Sequence, residues 1–368
     1  MEYNKTITYL KSFAITCMVI GHCGCSIPGV HRNIYLFHMP LFFFLSGYCF
    51  NLSQKPMNLF KKRLKRLYWP YIKWGIVFLF LHNIFFYLHL YSSKYGYNGC
   101  VSYLYSIKHF IFFSIRIMMF RHSEELLGGY WFLSALFGGT IISWVLLNYI
   151  KKEEFAAITA LCISWLFNIY GKHPFQFTLE FAVSFIFIMG YLFSKRGIKT
   201  IDWKLSIFIL LSFFLLSHIY MSHIFLSPIV KNKLFMEIAE FGHEPYCCYD
   251  ITLYLIISII LIWSLYSIFS KLEIKTRWII NLVDYIGENT LTILTFHFLS
   301  FKFVSLLIIL QNDLPIDMLS QFPVITDYAY DGWWIAYAIT GIAMPLLCTR
   351  LLINFKTIYR KYVNNYVH

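Results

Sequence analysis

Long apolar runs, broken by short clusters of charged and turn-forming residues, recur along nearly the whole chain of 368 residues. Runs of this length read as helices that cross a bilayer, because a soluble core rarely needs about twenty apolar residues in sequence. They predict spans near 8–25, 34–53, 69–91, 129–150, 155–171, 175–194, 204–224, 248–270, 285–310 and 332–353. The expected fold class is all-α: a polytopic integral membrane protein of about ten transmembrane helices. It should form a single membrane-embedded domain over 1–368, with no soluble extension. The stretch 92–128 breaks the pattern. Its amphipathic run Tyr103 to Phe120 carries Lys108 and Arg116 and is followed by Arg121, so it reads as an interfacial or re-entrant helix, not an eleventh span. The first apolar run contains Lys11 and many spans follow it, which argues against a cleavable signal peptide. No internal repeat stands out.

Composition agrees with the pattern, since 59% of residues are apolar, 21% aromatic and only 13% charged. The 38 Phe and 28 Tyr suit lipid-facing helices and interfacial belts. The net charge of +13 would suggest nucleic acid in a soluble protein, but here its location decides. With the amino terminus inside, twenty Lys and Arg fall in inner segments, including six from Lys55 to Arg66, against eight in outer ones. The positive-inside rule then places both termini in the cytoplasm. Membrane lipid is an expected partner and nucleic acid is not. The outer loops lean acidic at Glu237, Glu240 and Glu244 and again at Asp313, Asp317, Asp327 and Asp331.

Lys11 and His22 bring chemistry into the first span. Ionisable residues at membrane depth are functional hypotheses by default. Eleven residues at 100° each come to about 20° beyond three full turns, so on a helix the two side chains share one face, roughly 16 Å apart along the axis. Two further features stand out: Phe37-His38-Met39-Pro40, continuing through Phe42-Phe43-Phe44 to Ser46-Gly47-Tyr48, and the basic run Lys61-Lys62-Arg63-Leu64-Lys65-Arg66.

With the first-span histidine, the Arg63-x-x-Arg66 pair and Tyr130-Trp131-Phe132-Leu133, these features resemble the acyltransferase 3 family of integral membrane acyltransferases. The likeness runs from the first helix to Gly287-Glu288-Asn289-Thr290 and His297, and is most specific in the amino-terminal third. The resemblance implies a ten-helix enzyme of the bacterial cell (inner) membrane. Such an enzyme moves an acyl group, usually acetyl, from cytoplasmic acyl-CoA to a hydroxyl of an envelope or exported carbohydrate. In the family an arginine or lysine ten residues before the first-span histidine is characteristic; Lys11 with His22 is the lysine form, and Arg63 and Arg66 match the paired arginines. Many relatives carry a fused periplasmic domain, whereas this chain stops soon after its last predicted span, so it is expected to act alone or with a separate partner. Acyl-CoA is a co-substrate, with no permanently bound cofactor. The acceptor is a lipid-linked or polymeric carbohydrate, and a homo-oligomer is left open.

Residue chemistry fits that reading on its own terms. A sugar hydroxyl attacking a thioester needs a base, and a histidine with an ordinary pKa near 6.5 is the usual one. His22 can take the proton, or can carry the acyl group itself. Lys11 is better placed to meet the phosphate or pantetheine part of the donor, or a carboxylate, than the reacting carbonyl. Guanidinium forks at Arg63 and Arg66 suit the phosphates of CoA. Without the family likeness, that basic run reads simply as a topology determinant or a contact for lipid heads. His38, Trp131, Glu180, Glu288 and His297 are the remaining candidates for substrate binding. Trp131 can equally belong to an aromatic belt. Glu180 and Glu288, as buried or half-buried acids, can orient His22, bind sugar or pair with Lys11, Lys73 or Lys302. The nine cysteines show no second pair at zinc-like spacing, so no metal is expected. Two other classes compete: a transporter or flippase of a glycolipid or small solute, and a haem or metal enzyme using His22 with His38 or His82 with His89.

Overall fold

The structure is a computed structural model that describes residues 4–95, 103–169, 177–221 and 248–366. Lys172, Lys231, Lys233, Glu237, Glu240 and Glu244, with Cys100 and Cys247, lie outside the described residues. Among those described there are helices and turns and no β-strand. In chain order the helices are α1 (Lys5–His22), α2 (Val30–Tyr48), α3 (Pro56–Arg63), α4 (Trp69–Tyr87), α5 (Ile107–Met118), α6 (Trp131–Tyr149) and α7 (Glu153–Ile169). After them come α8 (Phe177–Arg196), α9 (Trp203–Met221), α10 (Cys248–Lys271), α11 (Arg277–Glu288), α12 (Thr290–Gln311) and α13 (Trp334–Tyr366).

Each of the ten predicted intervals contains a helix. Five helical stretches are long and apolar enough to cross a bilayer: Glu125–Tyr149, Thr178–Arg196, Tyr249–Lys271, Thr290–Gln311 and Thr326–Leu351. The chain is a multi-pass membrane protein. Exposed Leu205, Phe208, Leu211 and Leu215 on α9 form the kind of face that lipid covers.

Two pieces depart from the predicted layout, and a third shows where the amphipathic run after Tyr103 lies. First, α3 starts with Pro56 at its first turn, where a missing N–H does no harm, and runs through a π turn, Leu64–Tyr68, into α4. Second, the predicted span 285–310 begins only at Thr290. Asn289, at φ −106° and ψ 23°, breaks the helix, and Arg277–Glu288 is a separate amphipathic helix with Trp278 and Leu282 exposed. Third, α5 folds back antiparallel along α4. The Asn83 side chain bonds both the amide (2.8 Å) and the carbonyl (2.9 Å) of Tyr105. Further along, Phe110 stacks on Phe80, Ile117 fills the space beside Gly75, and the Tyr68 hydroxyl donates to the Met118 carbonyl at 3.0 Å. Twelve residues make about 18 Å, too short for a bilayer core of roughly 30 Å, so α5 does not span it.

Small residues and hydroxyls set the helix spacing. A Cβ on Gly47 would lie 1.8 Å from the Phe187 carbonyl oxygen, and one on Gly190 2.1 Å from that of Phe44, so the backbones of α2 and α8 touch. Between α6 and α8, the Ser143 and Ser184 hydroxyls lie 2.7 Å apart and 2.6 and 2.9 Å from the Gly139 carbonyl, so one donates to the other and the other to the carbonyl. Tyr254 and Ser258 of α10 donate to the carbonyls of Tyr35 and Leu36 at 3.0 and 2.7 Å, which fixes α10 against α2. Gly47→Ala should therefore force α2 and α8 apart at a cost of about 1–3 kcal/mol or more. The expected result is a lower thermal midpoint of the detergent-solubilised protein than for Ser46→Ala.

Candidate functional site

His22 closes α1 and is only partly covered. The chain then turns at Gly24, whose φ of +68° suits glycine and whose absent side chain leaves room for Ala329. Facing His22 is a stripe on α2. His31 stacks on Tyr35 with ring centroids 4.2 Å apart, and Tyr35 meets His38 edge-on at 4.8 Å. The Tyr35 hydroxyl is 3.3 Å from His22 Nδ1. Gly21 lets the Tyr35 ring come this close, since a Cβ there would touch it at 3.0 Å. His38 is 2% exposed, and its Nδ1 donates to the Ile34 carbonyl at 2.8 Å.

The third wall is α12. The His297 ring lies 5.5 Å from that of His22, and Phe298 lies 5.0 Å from it. His297 is fully buried, and its Nδ1 donates to the carbonyls of Ile293 (3.1 Å) and Leu294 (3.0 Å). His22, His31, His38 and His297 thus form one cluster within mutual electrostatic reach.

A buried polar frame supports that wall. Glu124 is bonded by His82 Nδ1 at 2.9 Å and by His122 Nε2 at 3.2 Å, while His82 Nε2 donates to the Tyr103 carbonyl at 3.0 Å. Burial alone would push the Glu124 carboxyl up. The hydrogen bonds from His122 and His82, and their charge, outweigh it and hold the group below its ordinary 4.5. Glu124 leads into the turn Glu125–Tyr130, whose Gly128 and Gly129 lie against Phe298 and Leu294. The turn ends with the Tyr130 hydroxyl donating to Thr295 at 2.8 Å, two residues before His297. Lys302, 3% exposed, donates to the Gln321 carbonyl at 2.6 Å and interacts with Glu125.

The other end of α1 carries cations. Lys11, Lys62 and Arg63 all act on the Cys49 thiol just beyond α2, so they share one place. Arg63 lies over the Phe187 ring at 6.0 Å with its Nε buried and without an acceptor among the described residues, while Arg66 is exposed beside it. Burial, then Arg66, pushes Arg63 down to about 10; burial, then Arg66 and Arg63, lowers Lys62. Among the described residues, none of Lys11, Lys62, Arg63 and Arg66 has a carboxylate partner within ion-pair distance.

Several expectations need correction. Glu288 is exposed at the end of α11 and lies in a different helix from His297, because Asn289 divides them. Glu180 is half-buried against Gly138 of α6, with Oε1 2.8 Å from where a Cβ would sit, and among the described residues it forms no ion pair with a histidine. Lys73 lies over the Trp74 ring at 4.6 Å, and Lys302 is engaged by Gln321 and Glu125, so neither pairs with Glu180 or Glu288. Trp131 is half-buried at the start of α6, and it is its neighbour Tyr130 that reaches α12. His82 has both ring nitrogens engaged, and His89 bonds Asp317 at 2.8 Å, so that pair is not arranged as axial ligands. Among the described residues, no group of three His, Cys, Asp or Glu is placed to hold a metal. Tyr35, Phe298, Glu124 and His122 were not anticipated. The spacing His31, Tyr35, His38, at i, i+4 and i+7, is the signal for the α2 stripe.

Together, the apolar helices, the histidine cluster at one end of α1 and the unpaired cations towards the other define a multi-pass membrane protein built around its first helix. A family model described as an acyltransferase domain matches residues 4–352. The chain belongs to the acyltransferase 3 family and is a membrane acyltransferase. No curated protein and no solved structure matches it.

Removing Glu124 strands two buried histidines. Glu124→Ala should destabilise the protein by about 3–5 kcal/mol, read as a fall in thermal midpoint. The depressed Glu124 carboxyl contributes stability above its ordinary 4.5, and this is lost as pH falls through the lower folded value. The wild-type midpoint should therefore drop on acidification from that point, and Glu124→Gln should flatten the dependence.

Proposed function

We propose that this protein transfers an acyl group, expected to be acetyl, from cytoplasmic acyl-CoA to a hydroxyl of an envelope or exported carbohydrate. The supporting observation is the division of α1 between four cations without carboxylate partners near one end and a histidine cluster at the other. Clustered like charges destabilise each other unless an anion joins them, and the CoA phosphates are such an anion. The reading includes ten spans, both termini in the cytoplasm, a single domain, and a bacterial inner membrane. Arg63 and Arg66 hold the phosphates, with Lys11 beside them, and the pantetheine arm runs along α1 for roughly 16 Å to His22.

His22 is the base. With Nδ1–H donating to the Tyr35 oxygen, Nε2 carries the lone pair. It removes the proton of the sugar hydroxyl as that oxygen attacks the thioester carbonyl. The carbon–sulfur bond then breaks, and the CoA thiolate recovers the proton from the imidazolium. The acceptor, lipid-linked or polymeric, offers its hydroxyl from the outer side, where His38 and Trp131 are candidates to line its path. Glu180 and Glu288 have no part in this step.

Membranes holding wild type or His22→Ala, incubated with radiolabelled acetyl-CoA, test the reading by the label counted in glycolipid and polysaccharide fractions. Label should appear with wild type and fall by a factor of about 100 or more in His22→Ala; unchanged transfer in the variant removes the base role. Arg63→Ala and Arg66→Ala should each raise the KM for acetyl-CoA by about tenfold with a smaller effect on kcat.

A further inference from the structure

We infer that His297 is a second hydroxyl-binding residue: its Nε2 accepts a hydrogen bond from an alcohol group of the carbohydrate acceptor, beside the hydroxyl that His22 deprotonates. The inference rests on the acyl-transfer reading and adds to it how the acceptor is recognised. His297 is fully buried, and its Nδ1–H is shared between the Ile293 and Leu294 carbonyls of its own helix. In the neutral ring that bond fixes the tautomer, so Nε2 is the atom with the lone pair. Among the described residues, none donates to it. A buried acceptor without a donor carries the desolvation penalty of its lost water. The surroundings offer no relief, since Phe298 and Phe301 flank the ring at 3.9 and 5.7 Å.

The position of this ring makes the orphan atom informative. His22 lies 5.5 Å away with its ring tilted by 34°, so two imidazoles from different helices stand side by side. A ligand with two neighbouring hydroxyls, which carbohydrates have and simple alcohols lack, can place one on each ring. His38 differs in that its Nδ1 is anchored in the same way, by Ile34, but its Nε2 is not among the buried nitrogens left without a partner. The frame from Glu124 through Tyr130 to Thr295 holds the backbone of α12 two residues from His297, which suits a residue whose use depends on fixed direction.

The first test needs no turnover. Protein labelled with 15N-histidine in lipid bilayers is titrated with octyl glucoside and, separately, with its fully O-methylated analogue, which has no hydroxyl to donate. The unprotonated Nε2 resonance of His297, assigned by its loss in His297→Gln, should move with octyl glucoside and stay fixed with the methylated probe. The same movement is expected in a His22→Ala background, so this result stands or falls apart from the base role of His22. No movement, as expected if a permanently held water occupies the nitrogen, or equal movement with both probes, overturns the inference. The second test uses transfer from acetyl-CoA. His297→Asn keeps a donor near Nδ1 and removes the Nε2 acceptor, and should raise the KM for the carbohydrate acceptor by about tenfold. His297→Gln restores an acceptor near the Nε2 position and should stay within about threefold. The KM for acetyl-CoA should be unchanged in both, and an equal rise in both KM values would mean that His297 only supports the fold.

Discussion

The obligation to satisfy every polar group away from water governs this bundle, and the arrangement of its buried polar atoms follows from it. Most meet the obligation inside the protein. Ser143 and Ser184 bond each other and a carbonyl, Lys302 takes the Gln321 carbonyl, and Glu124 is held from both sides by His82 and His122. These pairs join helices that hydrophobic burial alone cannot hold in register, because lipid tails are as apolar as leucine. Two atoms that fail the obligation belong to residues of the proposed site: Nε of Arg63 and Nε2 of His297. Among the described residues the indole nitrogens of Trp144 and Trp165 are also without a partner, so what sets these two atoms apart is their place: Arg63 sits with Lys11 and Lys62 at Cys49, and His297 sits beside His22.

Much of the fold was legible because apolar runs bounded by charges are a strong signal. The ten predicted intervals all contain helices, and the amphipathic run after Tyr103 was distinguishable from a span by its cations. The short amphipathic pieces were not, since α3 carries few apolar residues and the end of α11 runs into the apolar stretch that follows it. The break at Asn289 is announced by Asn289 itself and by Gly287, but the apolar residues on both sides read as one run, and so Glu288 looked like a membrane acid and is an exposed one. The return of α5 along α4 depends on contacts such as Asn83 with Tyr105, more than twenty positions apart, that no local pattern encodes.

The site divides in the same way. His22, His38 and His297 were legible by type, as ionisable residues within apolar runs. Their meeting was not, because α12 reaches α1 only through tertiary packing, with Gly341 of α13 allowing Phe301 and Val19 to close together. Helices α1, α2 and α4 are absent from the stretches that qualify as spans by length and hydropathy, and these three carry Lys11 and His22, His31 and His38, and Lys73 and His82. The residues that make a membrane helix useful are the ones that lower its hydropathy.

The support behind His297 explains why buried charge is tolerated so close to it. A buried carboxylate is expensive, and an apolar substitute of the same shape is often neutral or better for stability. What Glu124 supplies is direction. By engaging His82 on α4 and His122 in the loop after α5, it fixes where the turn Glu125–Tyr130 begins. The glycines at 128 and 129 then let that turn lie against Phe298 and Leu294, and Tyr130 reaches Thr295. Apolar packing alone would let α12 slide or rotate by a fraction of a turn at little cost. An imidazole needed at a set angle beside His22 does not tolerate that, so a polar frame does what a greasy one cannot.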